Sequence, residues 1–299
     1  MSAIVQREIP QVDPAANAID FSRPFIPEPF TPLFHTPAYG RLTAEQRLRY
    51  NQLHAGYFHE QIMFFEKALA RNVLGRFLSE PLPEKLKSGV QMFMAEEARH
   101  SEMFWRLNKK CAPQFYGSRD FYFIRVPPLL AKILDAISRR PKLFPLFLWL
   151  MLLEEERALY YGKIFTKSPE LEPHFMAVQR AHLADEIGHV KWDEELLDWI
   201  WPETNPLLRR INARLLCWMI DEFFSAPKRA GVRVVEELAK EFPSLSPELP
   251  RMRSELLALA TNKKYRSSLY SPEMVPQTFA RFEQWPEFAP VLRLLTQTE

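Results

Sequence analysis

The chain has 299 residues, of which 47% are hydrophobic and 25% are charged, and its formal net charge is +2. This length allows one large domain or two small ones, and the balanced charge gives no reason to expect a nucleic acid or a strongly charged partner. With 8 glycines and 26 prolines, the sequence argues against a glycine-rich phosphate loop and for helices that end at prolines.

The predicted elements begin with a proline-rich arm. Residues 1–42 hold seven prolines and are predicted to run extended and non-helical over the surface, with phenylalanines that pack the arm down. A capping box, Thr43-x-x-Gln46, then opens a helix that is predicted to reach about Leu78. Further predicted helices cover about 83–110, 127–139, 142–167, 168–200, 205–224, 227–241 and 247–260, with a loop at 111–126. The final 38 residues give mixed signals and stay unassigned.

The longest apolar run, Leu143–Leu153, is interrupted by Pro145 and is followed at once by three glutamates. A membrane span needs about 20 apolar residues, so this run is predicted to be a buried core helix, and no membrane partner is expected. Cys111 and Cys217 lie outside any CxxC motif and are expected to be inert thiols in a reducing compartment. The N-terminus lacks a signal-peptide pattern, so we expect a cytoplasmic protein. Long helices with short connections predict an up-and-down bundle.

Acidic residues and histidines interrupt the apolar stretches of four long helices. Two of these helices contain the motif Glu-x-x-His, whose i, i+3 spacing puts both side chains on one face, and the other two contribute a carboxylate. The residues are Glu66, Glu97-x-x-His100, the acidic run 154–156 and Glu186-x-x-His189. This combination is the ligand set of a carboxylate-bridged di-iron bundle. Oxygen donors mixed with imidazole suit two iron ions, with manganese as an alternative.

The two halves of this ligand set are in register, because a shift of 89 residues carries the first half onto the second. The shift pairs Glu66 with Glu155, Glu97 with Glu186, and His100 with His189. It therefore predicts two helix pairs related by a pseudo-twofold axis around the metals. It also favours Glu155 over Glu154 and Glu156, although unequal loops leave Glu156 open.

His182 lies four residues before Glu186 and seven before His189, so it shares their helix face. The 89-residue shift places Phe93 at the matching position of the first half, so His182 has no counterpart. Two interpretations stay open. His182 is either a seventh protein ligand, which makes the site asymmetric, or a core histidine hydrogen-bonded to a carboxylate.

Other residues near the motifs have a supporting role in this prediction or none. Asp185 and Glu96 are predicted either to accept a hydrogen bond from the metal-binding histidine of the other half or to face solvent. His59 shares a face with Glu66 and is interpreted as a buried core histidine rather than a second-sphere group. Apolar neighbours of the ligands are predicted to line a substrate pocket, namely Met63, Phe93 and Leu159.

On these residues the sequence resembles the ferritin-like di-iron N-oxygenases typified by para-aminobenzoate N-oxygenase. The pattern His182-x-x-x-Glu186-x-x-His189 carries most of the resemblance, together with Pro-Leu-Phe-His-Thr-Pro at 32–37, and the likeness covers about residues 25–225. It implies a ferritin-like fold, two iron ions, dioxygen as oxidant, and oxidation of an amine through hydroxylamine and nitroso stages to a nitro group. It also implies a homodimer and a role in secondary metabolism.

We therefore predict an all-α protein with a ferritin-like four-helix bundle core, additional helices and an extended proline-rich N-terminal arm. The boundaries are a single domain at 1–299, with the arm at 1–42, the core at about 43–225 and accessory helices at 226–299. The predicted metal ligands are Glu66, Glu97, His100, Glu155, His182, Glu186 and His189. No reductase motif is present, so an external electron donor is expected. A di-iron enzyme that oxidises carbon, or a non-catalytic iron-binding bundle, remains an alternative.

Overall fold

The computed structural model describes residues 18–225 and 227–296. Its first long helix, α2, follows a short helix α1 (Pro37–Arg41) and runs over Ala44–Met63. The predicted capping box is confirmed, because the Thr43 hydroxyl accepts from the Gln46 N–H while the Gln46 side chain accepts from the Thr43 N–H. The chain then continues through a π-helical segment, Phe64–Ala70, into α3 (Arg71–Phe77), so the helix ends near Leu78 as predicted.

The other long helices also match their predicted ranges, with one correction. They are α4 (Glu84–Cys111), α7 (Leu146–Phe165) and α8 (Pro173–Ile200). The start predicted for α8 at 168–170 is wrong, because Leu171 N–H donates to the Ser168 carbonyl and closes a turn there. Glu172 caps the helix instead, since its side chain accepts from the N–H groups of His174 and Phe175.

Shorter helices complete the chain. They are α5 (Pro113–Tyr116), α6 (Pro128–Ser138), α9 (Pro206–Met219), α10 (Ala230–Glu241), α11 (Leu249–Ala258), α12 (Lys263–Leu269), α13 (Pro276–Glu283) and α14 (Ala289–Thr296). A second π-helical segment, Ile220–Ser225, extends α9. The unassigned C-terminal stretch is thus helical as well, in pieces too short for a clear periodic pattern.

The bundle core consists of α2, α4, α7 and α8, with α2 against α4, α4 against α8 and α8 against α7. The apolar run in α7 is a core helix as predicted, since every residue from Leu146 to Leu153 is at most 1% exposed. Burial of each such large apolar side chain contributes about 1.5–3 kcal/mol, so this run alone holds α7 in the centre. Among the described residues there is no strand, and no helix is both long and apolar enough to cross a bilayer.

The arm differs from the prediction where it is described. Residues 28–41 form two short 3-10 turns and α1 rather than an extended chain. Each of these elements has a proline in its first two positions, where the fixed φ of proline favours a helical turn instead of breaking one. The expected packing of the arm by its phenylalanines is confirmed for Phe25, which is buried, but not for Phe21 and Phe34, which are exposed. Phe25 and Ile26 both donate their N–H groups to the Asn51 side chain. Residues 1–17 of the predicted arm lie outside the described part.

Candidate metal centre

Four helices bring together all seven residues that the sequence predicts as ligands. Glu66 comes from the π-helical segment after α2, and the remaining residues come from α4, α7 and α8. None of the seven side chains belongs to a residue more than 5% exposed. Three overlapping groups have donor atoms within 4.8 Å of one another, namely Glu66–His100–His182, His100–Glu186–His189 and Glu97–Glu155–His189.

Glu186 and Glu97 lie between the two halves of the cluster. The two carboxylate oxygens of Glu186 face different imidazoles, 3.6 Å from His100 Nδ1 and 3.4 Å from His189 Nδ1. The oxygens of Glu97 do the same, each 3.9 Å from one of these nitrogens. Two donors about 2 Å from a common ion are about 3–4 Å apart, so these spacings fit shared coordination better than hydrogen bonding. The arrangement therefore fits two carboxylates that bridge a pair of ions.

His182 stands on the half of the cluster that contains Glu66. Its Nε2 atom lies 3.2 Å from Glu66 Oε1 and 2.8 Å from Glu186 Oε1. Burial lowers the pKa of His182 well below its usual value, so the imidazole is neutral and can offer a lone pair. The position fits a seventh ligand, and it equally provides the carboxylate contact of the second interpretation.

The three consecutive glutamates of α7 have three different surroundings. Glu154 pairs with Arg157 at 2.5 Å and accepts from the Tyr270 hydroxyl at 2.6 Å. Glu156 points the other way and accepts from the backbone N–H groups at the start of α13. Only Glu155 joins the cluster, with its Oε2 atom 3.7 Å from His189 Nδ1. The 89-residue register thus predicts Glu155, the glutamate that the fold places beside the other donors.

The contacts predicted for Asp185 and Glu96 are present. His100 Nε2 lies 3.1 Å from Asp185 Oδ2, and His189 Nε2 lies 3.1 Å from Glu96 Oε2, so each acid contacts the histidine of the other half. These contacts point Nδ1 of both histidines at the cluster centre. Burial alone would raise the pKa of Asp185, but hydrogen bonds from His100 and Arg99 lower it to about 2.

The electrostatics of the cluster test whether a metal pair fits. Among the described residues, both oxygens of Glu97 and the Nδ1 atoms of His100 and His189 are buried without a hydrogen-bond partner. The buried oxygens of Glu186 also lack a well-directed hydrogen bond there, although His182 Nε2 lies 2.8 Å from Oε1. Burial, and then the neighbouring carboxylates, raises the pKa of Glu66 and Glu97 well above the usual range. Unpaired buried carboxylates are costly, and divalent ions would satisfy every one of these atoms. The residues therefore fit a di-metal site.

Two features of the site were not predicted from the sequence, namely the π-helical segment that carries Glu66 and the surroundings of the His59 Nε2 atom. The π-helical segment that carries Glu66 adds a residue to one turn, and such segments are frequent at functional sites. His59 is buried as expected, stacked on Phe175, with Nδ1 2.8 Å from Asn108 Oδ1. Its Nε2 atom lacks a partner among the described residues, so it is not a fully satisfied core histidine.

A cavity opens beside Glu66, Glu155 and His182, and we call it the metal-side cavity. Its other walls include Phe58, Gln61, Phe65, Arg157, Tyr161 and Phe224. The predicted pocket residues Met63, Phe93 and Leu159 were the wrong ones. Met63 and Phe93 are at most 1% exposed within the packed core, and Leu159 packs against that core. The sequence did offer one indication of the cavity wall, because Glu154 and Arg157 have the i, i+3 spacing of an ion pair on one helix face.

Comparison with known proteins gives one assignment. A family model described as P-aminobenzoate N-oxygenase AurF matches residues 5–258. No curated protein matches the chain.

Proposed function

The chain belongs to the P-aminobenzoate N-oxygenase AurF family, and on that premise we propose that it holds two iron ions between its four core helices and oxidises the nitrogen of an amine. The family is one of di-iron N-oxygenases, so the protein is an enzyme of the monooxygenase class that uses dioxygen. The proposal assigns the metals to the seven buried donors. Their unpartnered carboxylates and imidazoles are the observation that supports it most directly.

In this proposal Glu66 and His100 would hold one ion and Glu155 and His189 the other, while Glu97 and Glu186, which lie between the two halves, would contribute to holding both. His182 adds a donor to the ion beside Glu66. The iron pair, when bound, supplies the reduction of dioxygen and the transfer of an oxygen atom, with electrons from an external donor.

The rest of the site positions the substrate and excludes water. Aromatic rings of Phe58, Phe65 and Phe224 give the metal-side cavity walls that suit a flat or apolar amine. Gln61 and Gln179 are uncharged polar groups in its wall, and Arg157 is held in the wall by Glu154. Since Asp185 accepts from His100 and Glu96 from His189, both imidazoles keep their protons on Nε2 and present Nδ1 to the metals.

Metal analysis tests the site. Purified protein reconstituted with ferrous iron under nitrogen should retain two ions per chain. His182→Gln should lower the retained iron or change the spectrum of the bound pair. His174→Gln should leave both unchanged, because His174 contacts Glu172 at the start of α8, outside the cluster. Retention of less than one ion per chain by the unsubstituted protein would contradict the proposal.

Product analysis tests the reaction. After reduction, the iron-loaded protein is exposed to dioxygen with a panel of aryl and alkyl amines. Hydroxylamine, nitroso or nitro products are expected. Products oxidised only at carbon would instead support a carbon-oxidising relative, which the same ligand set permits.

The proposal extends to organisation and context. We propose a single functional unit over the whole chain, a homodimer, and a role in secondary metabolism. Light scattering of the full chain tests the dimer, and a large shell would point to iron storage instead. Manganese loading in parallel with iron tests the choice of metal.

A further inference from the structure

A second cavity, open to solvent, adjoins the metal-side cavity. The two cavities share Gln61 and Phe224, so these side chains form the partition between them. The inner wall of the second cavity is aromatic, with Tyr57, Phe64 and Phe223. Its other wall carries four cations, which are Arg125, Lys228, Arg229 and Arg233. We call it the basic cavity.

The cations of the basic cavity outnumber the carboxylates that pair with them. Lys228 contacts Asp221 at 2.8 Å and Glu222 at 3.3 Å, and Arg229 lies 3.6 Å from the same Glu222. Arg125 and Arg233 form no ion pair within 4.0 Å among residues 18–225 and 227–296. Two of the four cations therefore have no ion-pair partner at that distance in the described part of the chain.

Arg233 is the more informative of the two. It is partly buried, and one of its Nη atoms donates to the Phe123 carbonyl, which fixes the guanidinium at the cavity wall. Partial burial and then the positive charge of Arg125 lower the pKa of Arg233. Glu236 and Glu60 oppose this lowering but do not cancel it, and an anion bound beside the two guanidinium groups would favour their charged forms.

The placement of the two arginines favours a phosphate over a carboxylate. A single arginine can satisfy a carboxylate through two parallel hydrogen bonds, whereas a phosphate ester offers three acceptor oxygens to several donors at once. Here the two unpaired arginines come from different segments, the 124–127 stretch and α10. The aromatic wall beside them suits an elongated ligand that continues past Gln61 and Phe224.

We propose that the basic cavity binds the phosphate ester of an elongated ligand, whose other end reaches the metal-side cavity past Gln61 and Phe224. Two sources share this chemistry, a phosphopantetheine arm that carries the amine and a nucleotide such as a flavin phosphate that delivers electrons. The role of the far end rests on the proposed function, whereas phosphate binding does not.

Calorimetric titration of the purified protein, without dioxygen or turnover, tests the site. The probes are 4′-phosphopantetheine, pantetheine, flavin mononucleotide and riboflavin. At least one phosphate ester should bind tenfold or more tightly than its dephosphorylated partner, and the pair that shows this preference identifies the source. Raising the salt concentration should weaken the preference, because the phosphate contributes through charge.

Charge-removing variants give the decisive comparison. Arg233→Met and Arg125→Met should each reduce the preference for the phosphate ester at least fivefold. Arg180→Met is the matched control, because Arg180 is exposed on α8, does not line the basic cavity and donates to the Met176 sulfur. Arg125 is itself exposed, so its variant should fold even if the Arg233 variant does not.

Equal binding of the phosphorylated and dephosphorylated probes would overturn the proposal, and so would a preference that survives both variants. These outcomes leave iron retention and amine oxidation untouched, so they are distinguishable from failure of the proposed function.

Discussion

Replacing Glu97 by leucine is expected to stabilise the metal-free protein, although it removes a proposed metal ligand. Glu97 is 1% exposed and both of its carboxylate oxygens lack hydrogen-bond partners. Burial and the nearby Glu66 raise its pKa well above the usual range, so without metal the side chain is a neutral acid with unmet polar atoms. Leucine has a similar volume and no polar atoms to leave unpaired.

The magnitude follows from the number of unmet atoms. A buried polar group without a partner costs about 1–3 kcal/mol, so Glu97→Leu should raise the free energy of unfolding by about that amount. For a chain of this length the melting temperature should rise by roughly 2–6 °C. Glu156→Leu is the matched control with the opposite sign. It strands two backbone N–H groups and the Thr278 hydroxyl, and should lower the free energy of unfolding by about 3–5 kcal/mol.

Thermal melts in the presence of a chelator, and again after ferrous loading under nitrogen, separate the two effects. The unsubstituted protein and Glu156→Leu should both gain stability on loading, because bound metal stabilises the folded state. Glu97→Leu should gain little. The reasoning is refuted if Glu97→Leu melts below the unsubstituted metal-free protein, or if its gain on iron loading equals that of the unsubstituted protein.

Three further predictions concern the frame around the site. Glu60→Gln should lower the free energy of unfolding, measured in urea, by about 1–3 kcal/mol. The buried Glu60 carboxylate accepts four hydrogen bonds, and the NH₂ group of glutamine would instead face one or more of these donors. Glu255→Gln should lower the melting temperature at pH 7, and this effect should fade as the pH falls below 4.5 toward the lowered pKa of Glu255. Partial burial acts to raise the pKa of Glu255, yet hydrogen bonds led by Arg41 lower it below 4.5, so its stabilisation is lost as the pH falls through the lowered value. Gly89→Ala should cost about 1–3 kcal/mol in a thermal melt, because the added methyl group would overlap the Trp192 ring.

Much of the fold and of the candidate site was predictable from local patterns. Prolines and the Thr43 capping box mark the helix ends, and apolar stretches mark the buried faces. The 89-residue register selected Glu155 because equivalent helix pairs must point equivalent side chains at a shared centre. It needed no knowledge of the contacts that hold Glu154 and Glu156 elsewhere. The fold and the residues of the cluster could therefore be predicted from spacing along the chain, without knowledge of the tertiary contacts.

What the sequence did not predict depends on tertiary contacts. The cavity walls were assigned wrongly because residues next to a ligand point into the core as often as into a cavity. Phe93 shows this, since it stacks on the His189 ring at 4.1 Å and seals the cluster. The arm was assigned wrongly for another reason, because proline was treated only as a helix breaker. At the first position of a turn it favours the helix, as at Pro37.

His182 is the one predicted ligand without a counterpart in the internal repeat, and it makes the two sides of the cluster different. The 89-residue shift pairs His182 with Phe93, and the structure gives these two residues opposite surroundings. Phe93 closes its half with an aromatic ring, whereas His182 meets the His100 ring edge-on at 4.6 Å and lines the metal-side cavity. If the two halves repeated every residue around the cluster, the two proposed ions would be equally accessible or equally enclosed. Because an apolar ring stands on one side and a neutral imidazole on the other, we expect a substrate in the metal-side cavity to approach the proposed metal pair from the His182 side. The basic cavity adjoins the metal-side cavity at Gln61 and Phe224.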